Sequence, residues 1–187
     1  LLTLQDEQGF FPAWLHPETF APSDMLRQSP ETSMSVTFLL KLAEITGEER
    51  YRQAALRAME AVLVAIVPGG RWEDFETYWS CCGFGKEEFY GRRIPRNGIY
   101  KQCNFSMFWT AEALLACYRL TGNERYLRWG RRTVDELIMT QQSWQPSYIY
   151  IPALGGFGVM NFDGEWNDAR QCLFAELLME YYQVTGD

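Results

Sequence analysis

The chain reads LLKLAEITGEERY at residues 39–51, LLACYRLTGNERY at residues 114–126 and LLMEYYQVTGD at residues 177–187. In each copy an apolar segment runs into Thr-Gly, and in the two complete copies a polar segment follows. Glycine is typical of a helix end because it adopts the left-handed conformation at the least cost. The repeat therefore predicts helical hairpins joined by tight Thr-Gly turns.

The two helices of each hairpin differ in polarity. The first helices, expected to begin near residues 33, 105 and 167, carry apolar residues on most sides, which is typical of inner helices. The second helices carry charged residues along one face and are expected to lie outside. This alternation predicts an all-α fold, an α/α toroid of inner and outer helices. The expected hairpins span residues 33–66, 105–139 and 167–187.

The last hairpin lacks its outer helix, so we expect residues 1–187 to form a single toroid segment. The remaining hairpins of a longer chain would then be its partners. On that expectation Phe38, Phe108 and Phe174 expose apolar faces wherever neighbouring hairpins are missing.

Three long connections join each outer helix to the next inner helix, at residues 5–30, 68–104 and 141–166. Connections of this length without structure of their own are uncommon and usually functional. Each one precedes an inner helix, so all three are expected to meet at one end of the toroid. The opposite end carries only the short Thr-Gly turns. A functional site is therefore predicted at the loop end.

The turns TGEERY and TGNERY, placed between an apolar and a polar helix, resemble those of the six-hairpin glycosidase-like superfamily. The α/α toroids of that superfamily host glycoside hydrolases, polysaccharide lyases and sugar epimerases. The resemblance implies a carbohydrate-active enzyme with its substrate in a groove formed by the long loops. A glycoside hydrolase is favoured and a polysaccharide lyase is the alternative. Because a fold does not fix function, a non-catalytic helical binding or scaffold domain also stays open.

Composition narrows the possible partners. The 187 residues include 24 acidic and 17 basic side chains, for a formal charge of −7. This balance argues against nucleic acid or an anionic membrane surface as a partner. No run of about 18 apolar residues suggests a membrane span. The five cysteines show no CxxC spacing and an odd count, which argues against a disulfide framework. A carbohydrate is the expected partner.

The glycine-rich run at residues 155–158 leads into the acids Asp163, Glu165 and Asp168. Cleavage of a glycosidic bond needs two carboxyl groups, one of which keeps its proton. A helix N-terminus favours the ionised form of Asp168, the expected nucleophile or base, whereas Trp166 favours a protonated Glu165 as general acid. Trp166 also offers a stacking face for a sugar. The alternative is a simple helix cap with solvated acids.

Arg170 lies about one helical turn inside the predicted third inner helix, near these acids. It could clamp the carboxylate of a uronate, or it could form a structural ion pair with Asp163 or Glu165. The two interpretations are equally supported by the sequence.

The stretch at residues 72–82 alternates aromatic and acidic residues. As a groove wall it would offer Trp72, Tyr78 and Trp79 to a sugar and Glu76 as the partner carboxyl. As a short strand it would place Trp72 and Glu76 on the same side, because side chains alternate with period two.

His16 is the single histidine and lies in the first long loop, where it could act as a general acid or base. Lys101 adds positive charge to the second loop. In a lyase, Tyr78 or His16 would serve as the base, while Arg170 or Lys101 would neutralise a uronate.

Cys81, Cys82 and Cys103, together with Glu76, invite comparison with the zinc-dependent β-L-arabinofuranosidases, in which a glutamate and three cysteines hold zinc. Here the adjacent cysteine pair precedes the third cysteine, and Lys101 stands where that family's Glu-x-Cys has an acid. We therefore expect no metal and no cofactor.

Overall fold

The computed structural model describes residues 1–79, 90–160 and 165–187, with the side chain of Trp79 left aside. Within these ranges the chain is helical and contains no β-strand, which confirms the all-α class. Short 3-10 helices occur at Leu2–Leu4, Val67–Gly69 and Ala169–Gln171. The α-helices are α1 (Thr32–Thr46), α2 (Glu49–Ala65), α3 (Phe75–Trp79), α4 (Asn104–Thr121), α5 (Glu124–Ile138) and α6 (Cys172–Thr185).

The predicted Thr-Gly turns share one geometry. Gly122 has φ +69°, and the glycines that follow α1 and α6 have φ +71° and +73°. The Thr121 hydroxyl donates to the Cys117 carbonyl at 2.7 Å and accepts from the Asn123 N–H at 3.2 Å. The threonines of the other two copies make the same pair of hydrogen bonds. The repeated Thr-Gly sequence therefore forms the same threonine hydrogen bonds at the end of each of the three helices.

Helices α1, α4 and α6 lie side by side, with α2 packed on α1 and α5 packed on α4. Near the starts of α4 and α6, the rings of Phe105 and Phe174 are 5.2 Å apart. Further along the same two helices, Arg119 and Glu180 form an ion pair at 3.2 Å. The two helices therefore run parallel, and their N-termini lie at the same end.

The expected exposure of three phenylalanines holds only for Phe38. Its side chain is 57% exposed and lines an open cleft of about 1030 Å³ beside α1, α4 and α6. Phe108 and Phe174 are buried instead. The reason is that Phe174 packs against Phe108 and also against Phe157 from the third long loop.

Two local predictions need correction. The third inner helix does not begin near residue 167, because Asp168 starts the short 3-10 helix and α6 follows from Cys172. The stretch at residues 72–82 does not begin as a strand. Asp74 Oδ1 accepts from both the backbone N–H and the hydroxyl of Thr77, at 3.1 and 2.8 Å. Such capping turns the chain into helix α3 and removes the period-two alternation.

Candidate active site at the loop end

The second and third long loops are joined at the start of α4. The Asn104 N–H donates to the Val159 carbonyl, and its side-chain amide donates to the Gly158 carbonyl, both at 2.8 Å. The Cys103 N–H donates to the Trp72 carbonyl at 2.9 Å. These hydrogen bonds hold the loop backbones against each other at the N-terminal end of α4.

The first long loop reaches the same region. The Trp14 ring lies 5.9 Å from the ring of Phe75 at the start of α3. The Thr32 hydroxyl, at the start of α1, donates to the Phe11 carbonyl at 3.1 Å. The structure thus brings all three long connections together at one end of the helices.

Arg170 links two of the predicted acids, Asp168, which is two residues before it, and Glu76, which is 94 residues before it. Its Nη1 donates to Glu76 Oε1 at 3.1 Å, and its Nε donates to Asp168 Oδ1 at 3.0 Å. The side-chain hydrogen bonds from Arg170 lower the pKa of Asp168, with a further contribution from the Arg170 backbone N–H. Arg170 thus pairs with Asp168 and Glu76. Of the two partners proposed in the structural alternative, Glu165 is not paired with Arg170, and Asp163 lies outside the described residues.

Glu31, a residue that the sequence interpretation did not select, lies at the start of α1. Its carboxylate accepts hydrogen bonds from the Ser29 hydroxyl at 3.1 Å and from the Phe75 backbone N–H. Burial raises the pKa of Glu31 to about 8, and the negative charges of Asp74 and Glu76 add to the effect. Both hydrogen bonds favour the ionised form, but desolvation outweighs them. Glu31 therefore keeps its proton at neutral pH.

Asp74 is the buried carboxyl group next to Glu31. It is fully buried, and its Oδ2 accepts from the Ser106 hydroxyl at 2.7 Å. Burial raises its pKa, although hydrogen bonds from Cys103, Ser106 and Thr77 oppose that rise. Asp74 thus fixes the start of α3, the helix that carries Glu76.

The repeat register explains why these residues meet. Glu31, Ser106 and Arg170 each stand 16 residues before the glycine that ends their helix, at 31 and 47, 106 and 122, and 170 and 186. All three contact the segment at residues 74–76. Aligning the three copies on their glycines would have identified Glu31. We call Glu31, Asp74, Glu76, Asp168 and Arg170 the acid cluster.

Glu165, the predicted general acid, makes a hydrogen bond within its own loop. Its Oε2 accepts from the Val159 N–H at 2.7 Å. A Cβ added at Gly158 would lie 2.6 Å from the Glu165 carbonyl oxygen. The absence of a side chain at Gly158 thus lets the backbone of its own loop approach closely. Glu165 closes this loop against the start of α4.

Two residues expected on a groove wall, Trp72 and Tyr78, and the predicted loop cation Lys101 belong to the interior. Trp72 is fully buried, and its Nε1 donates to Glu136 at 2.8 Å. Lys101 is 4% exposed, with its Nζ 4.6 Å from the centre of the Tyr78 ring. Tyr78 is also buried and donates to Glu73, and burial raises its pKa. These side chains support the loop end from inside instead of facing a substrate.

The remaining predicted residues are not brought into the acid cluster. His16 is exposed, and its hydrogen bonds in the described part of the chain are all to residues 18–21. Trp166 forms an edge-to-face pair with Trp144 at 5.9 Å. The predicted Asp163, Cys81 and Cys82, and the Trp79 side chain, lie outside the described residues.

Cys103, one of the three cysteines of the suggested zinc set, lies next to the acid cluster. It is buried, and burial raises its thiol pKa well above the ordinary value, with the nearby Asp74 adding to the shift. Over residues 1–79, 90–160 and 165–187, no group of three or more His, Cys, Asp or Glu side chains is arranged to hold a metal ion. Cys103 behaves as a core thiol here.

Comparison of the chain with known protein families and with curated proteins finds no match. Among the described helices, none combines the length and apolar character that crossing a bilayer requires. The inference about function therefore rests on the geometry and charge of the loop end.

Proposed function

We propose that the protein is a carbohydrate-active enzyme, a glycoside hydrolase that holds its substrate in a groove formed by the long loops. The single observation that carries the proposal is a pair of carboxyl groups in opposed environments. Burial keeps Glu31 protonated, while Glu76 lies in an ion pair with Arg170. Carboxyl groups whose environments separate their protonation states are the usual acid and base of glycosidic cleavage.

In this proposal Glu31 is the general acid that protonates the departing glycosidic oxygen. Glu76 is the ionised carboxylate, which serves as nucleophile or as the base that activates water. The Glu76 side chain is 13% exposed, so it lies at the surface of the acid cluster and not beneath it. Asp168 holds Arg170 in place. The roles first expected of Glu165 and Asp168 thus pass to Glu31 and Glu76.

The helix arrangement supports the α/α toroid as the architecture. Adjacent parallel helices α4 and α6, together with α1, form one layer, and the amphipathic helices α2 and α5 cover it. The active site of such a toroid would lie at the end where the long loops meet. The acid cluster occupies that end.

A polysaccharide lyase is less well supported. It needs a cation to neutralise a uronate and a base to remove a proton. Arg170 is already engaged by two carboxylates, and the Tyr78 hydroxyl is buried with a raised pKa. A non-catalytic scaffold is less well supported, because carboxyl groups with strongly perturbed pKa values, such as Glu31, concentrate at functional sites.

The proposal is tested by incubating the protein with neutral and uronate-containing glycans and measuring new reducing ends. Glu31→Gln and Glu76→Gln should each lower turnover by about 10²- to 10⁴-fold, because each removes a proton-transferring or nucleophilic group. The matched control is Glu44→Gln, which lies on the same helix as Glu31 and is exposed in a pair with Lys41. It should retain full activity.

Two outcomes would contradict the hydrolase assignment. Unsaturated products that absorb ultraviolet light would indicate a lyase instead. Equal turnover in the Glu31→Gln, Glu76→Gln and Glu44→Gln variants would show that the acid cluster does not carry out the reaction.

A further inference from the structure

The segment after α5 forms a compact surface loop at residues 142–156. Its base is closed by two backbone hydrogen bonds, from the Gln142 N–H to the Gly156 carbonyl and from the Gly155 N–H to the Gln142 carbonyl, both at 2.8 Å. Loops of this size whose ends meet are Ω-loops, and they are frequently functional. We call this segment the Ω-loop.

One side chain fills the inside of the Ω-loop. Gln145 Oε1 accepts from the Ala153 N–H at 2.6 Å, and Gln145 Nε2 donates to the Ile151 carbonyl at 3.0 Å. The Gln145 side chain lies inside the Ω-loop, whereas several large apolar side chains of the same loop are exposed. Trp144 is 52% exposed, Tyr148 is 69% exposed and Tyr150 is fully exposed. Three exposed aromatic side chains within seven residues of one compact loop are typical of a recognition surface.

The chemistry of the Ω-loop selects an uncharged partner. Residues 140–162 contain no Asp, Glu, Lys or Arg, in a chain in which 22% of residues are charged. This segment therefore has no ionic anchor for a uronate, a nucleic acid or a charged peptide. Its aromatic rings combine an apolar face with a hydroxyl or indole N–H. A neutral sugar presents the matching surface, with apolar ring faces bordered by hydroxyl groups.

The Ω-loop is continuous with the acid cluster. Trp144 packs edge-to-face on Trp166, and the Asn167 side-chain amide donates to the Pro152 carbonyl at 2.8 Å. The next residue, Asp168, holds Arg170. A ligand lying along the Ω-loop would therefore lead toward the carboxyl groups of the site.

We propose that Trp144, Tyr148 and Tyr150 form a binding site for a neutral saccharide chain, whose extended part lies along the Ω-loop while one linkage reaches the acid cluster. This inference rests on the proposed function, since it names the substrate class of the same site. It excludes a polyuronate as the preferred substrate.

The test measures binding of neutral hexasaccharides of glucose, xylose, mannose and arabinose by calorimetry, with hexagalacturonate as the charged comparison. At least one neutral hexasaccharide should bind, more tightly than hexagalacturonate. Trp144→Ala and Tyr150→Ala should each weaken that binding by about tenfold. Tyr182→Ala is the matched control, because this tyrosine is 58% exposed on α6, far along the helix from the loop end. It should leave affinity unchanged.

The outcomes separate this inference from the proposed function. Absence of binding by every neutral hexasaccharide, a preference for hexagalacturonate, or unchanged affinity in Trp144→Ala and Tyr150→Ala would each overturn the saccharide site. If hydrolysis depends on Glu31 but Trp144→Ala and Tyr150→Ala bind with unchanged affinity, the saccharide site is refuted and the proposed hydrolase activity stands. If both variants weaken binding of a neutral hexasaccharide but the unmodified protein hydrolyses none, the saccharide site is supported and the proposed activity is refuted.

Discussion

Helices α1, α4 and α6 are repeats of one another, yet their residues are the same at the C-terminal ends and different at the N-terminal ends. At the turn end, Gly47, Gly122 and Gly186 share one backbone conformation and one hydrogen-bond pattern. At the loop end, equivalent positions hold a glutamate, a serine and an arginine. At the turn end, the same Thr-Gly pair ends each of the three helices, which is a structural role. At the loop end, three different residues contact the segment at residues 74–76, which indicates a single site built from all three copies.

The energetics of the two ends differ as well. The turns are exposed and depend on local backbone geometry. The loop end buries Asp74 completely and Glu31 in part, and burying carboxyl groups costs free energy unless hydrogen bonds compensate. The comparison predicts large effects of substitution at the loop end and small ones at the turn end.

The largest effect on stability is expected for Asp74→Ala. The substitution leaves the Thr77 N–H, the Thr77 hydroxyl and the Ser106 hydroxyl without their buried acceptor. The free energy of unfolding, measured with urea, should fall by about 3–5 kcal/mol. Asp135→Ala, on the exposed face of α5, should change it by less than about 0.5 kcal/mol. Similar losses in the two variants would contradict the role of Asp74 as the buried support of the site.

The next effect is the pH dependence of stability. Glu31 has a raised pKa of about 8 in the folded protein, against 4.5 for the unfolded chain. It binds its proton more tightly when folded, so its contribution is fully present below about pH 4.5 and is lost as the pH rises toward 8. Unfolding at pH 5 and pH 8 should show a loss on the order of 2 kcal/mol that Glu31→Gln abolishes. A parallel pH profile in Glu31→Gln would assign the loss to other groups.

The smallest effect is expected at the turn end. Gly122→Ala places an L side chain at φ +69°, and no heavy atom lies within 4 Å of the added Cβ, so the cost is one of backbone strain. We expect the free energy of unfolding to fall by about 1–2 kcal/mol, with no change in turnover. Gly69→Ala, also in open space but without a positive φ, should be nearly neutral. Loss of activity in Gly122→Ala without unfolding would place functional groups at the turn end.

The sequence is informative where structure repeats. Apolar periodicity and the Thr-Gly pairs predict the all-α class and the turns, because local backbone preferences decide both. The repeat predicts little about side-chain positions at the loop end, because contacts between segments distant in sequence determine them. Trp72 alternates with acids as a strand would, yet the Asp74 cap starts a helix at that point. Glu31 lacks any local motif, and only its register relative to Ser106 and Arg170 identifies it.

The most direct test of the account is the pKa of the Glu31 carboxyl, measured by following its side-chain ¹³C signal during a pH titration. We expect a midpoint near 8 in the unmodified protein. Glu76→Gln should lower that midpoint, because the negative charge of Glu76 contributes to the raised pKa. A midpoint near 4.5, unchanged in Glu76→Gln, would show that Glu31 is ionised at neutral pH and would contradict its role as the proton donor.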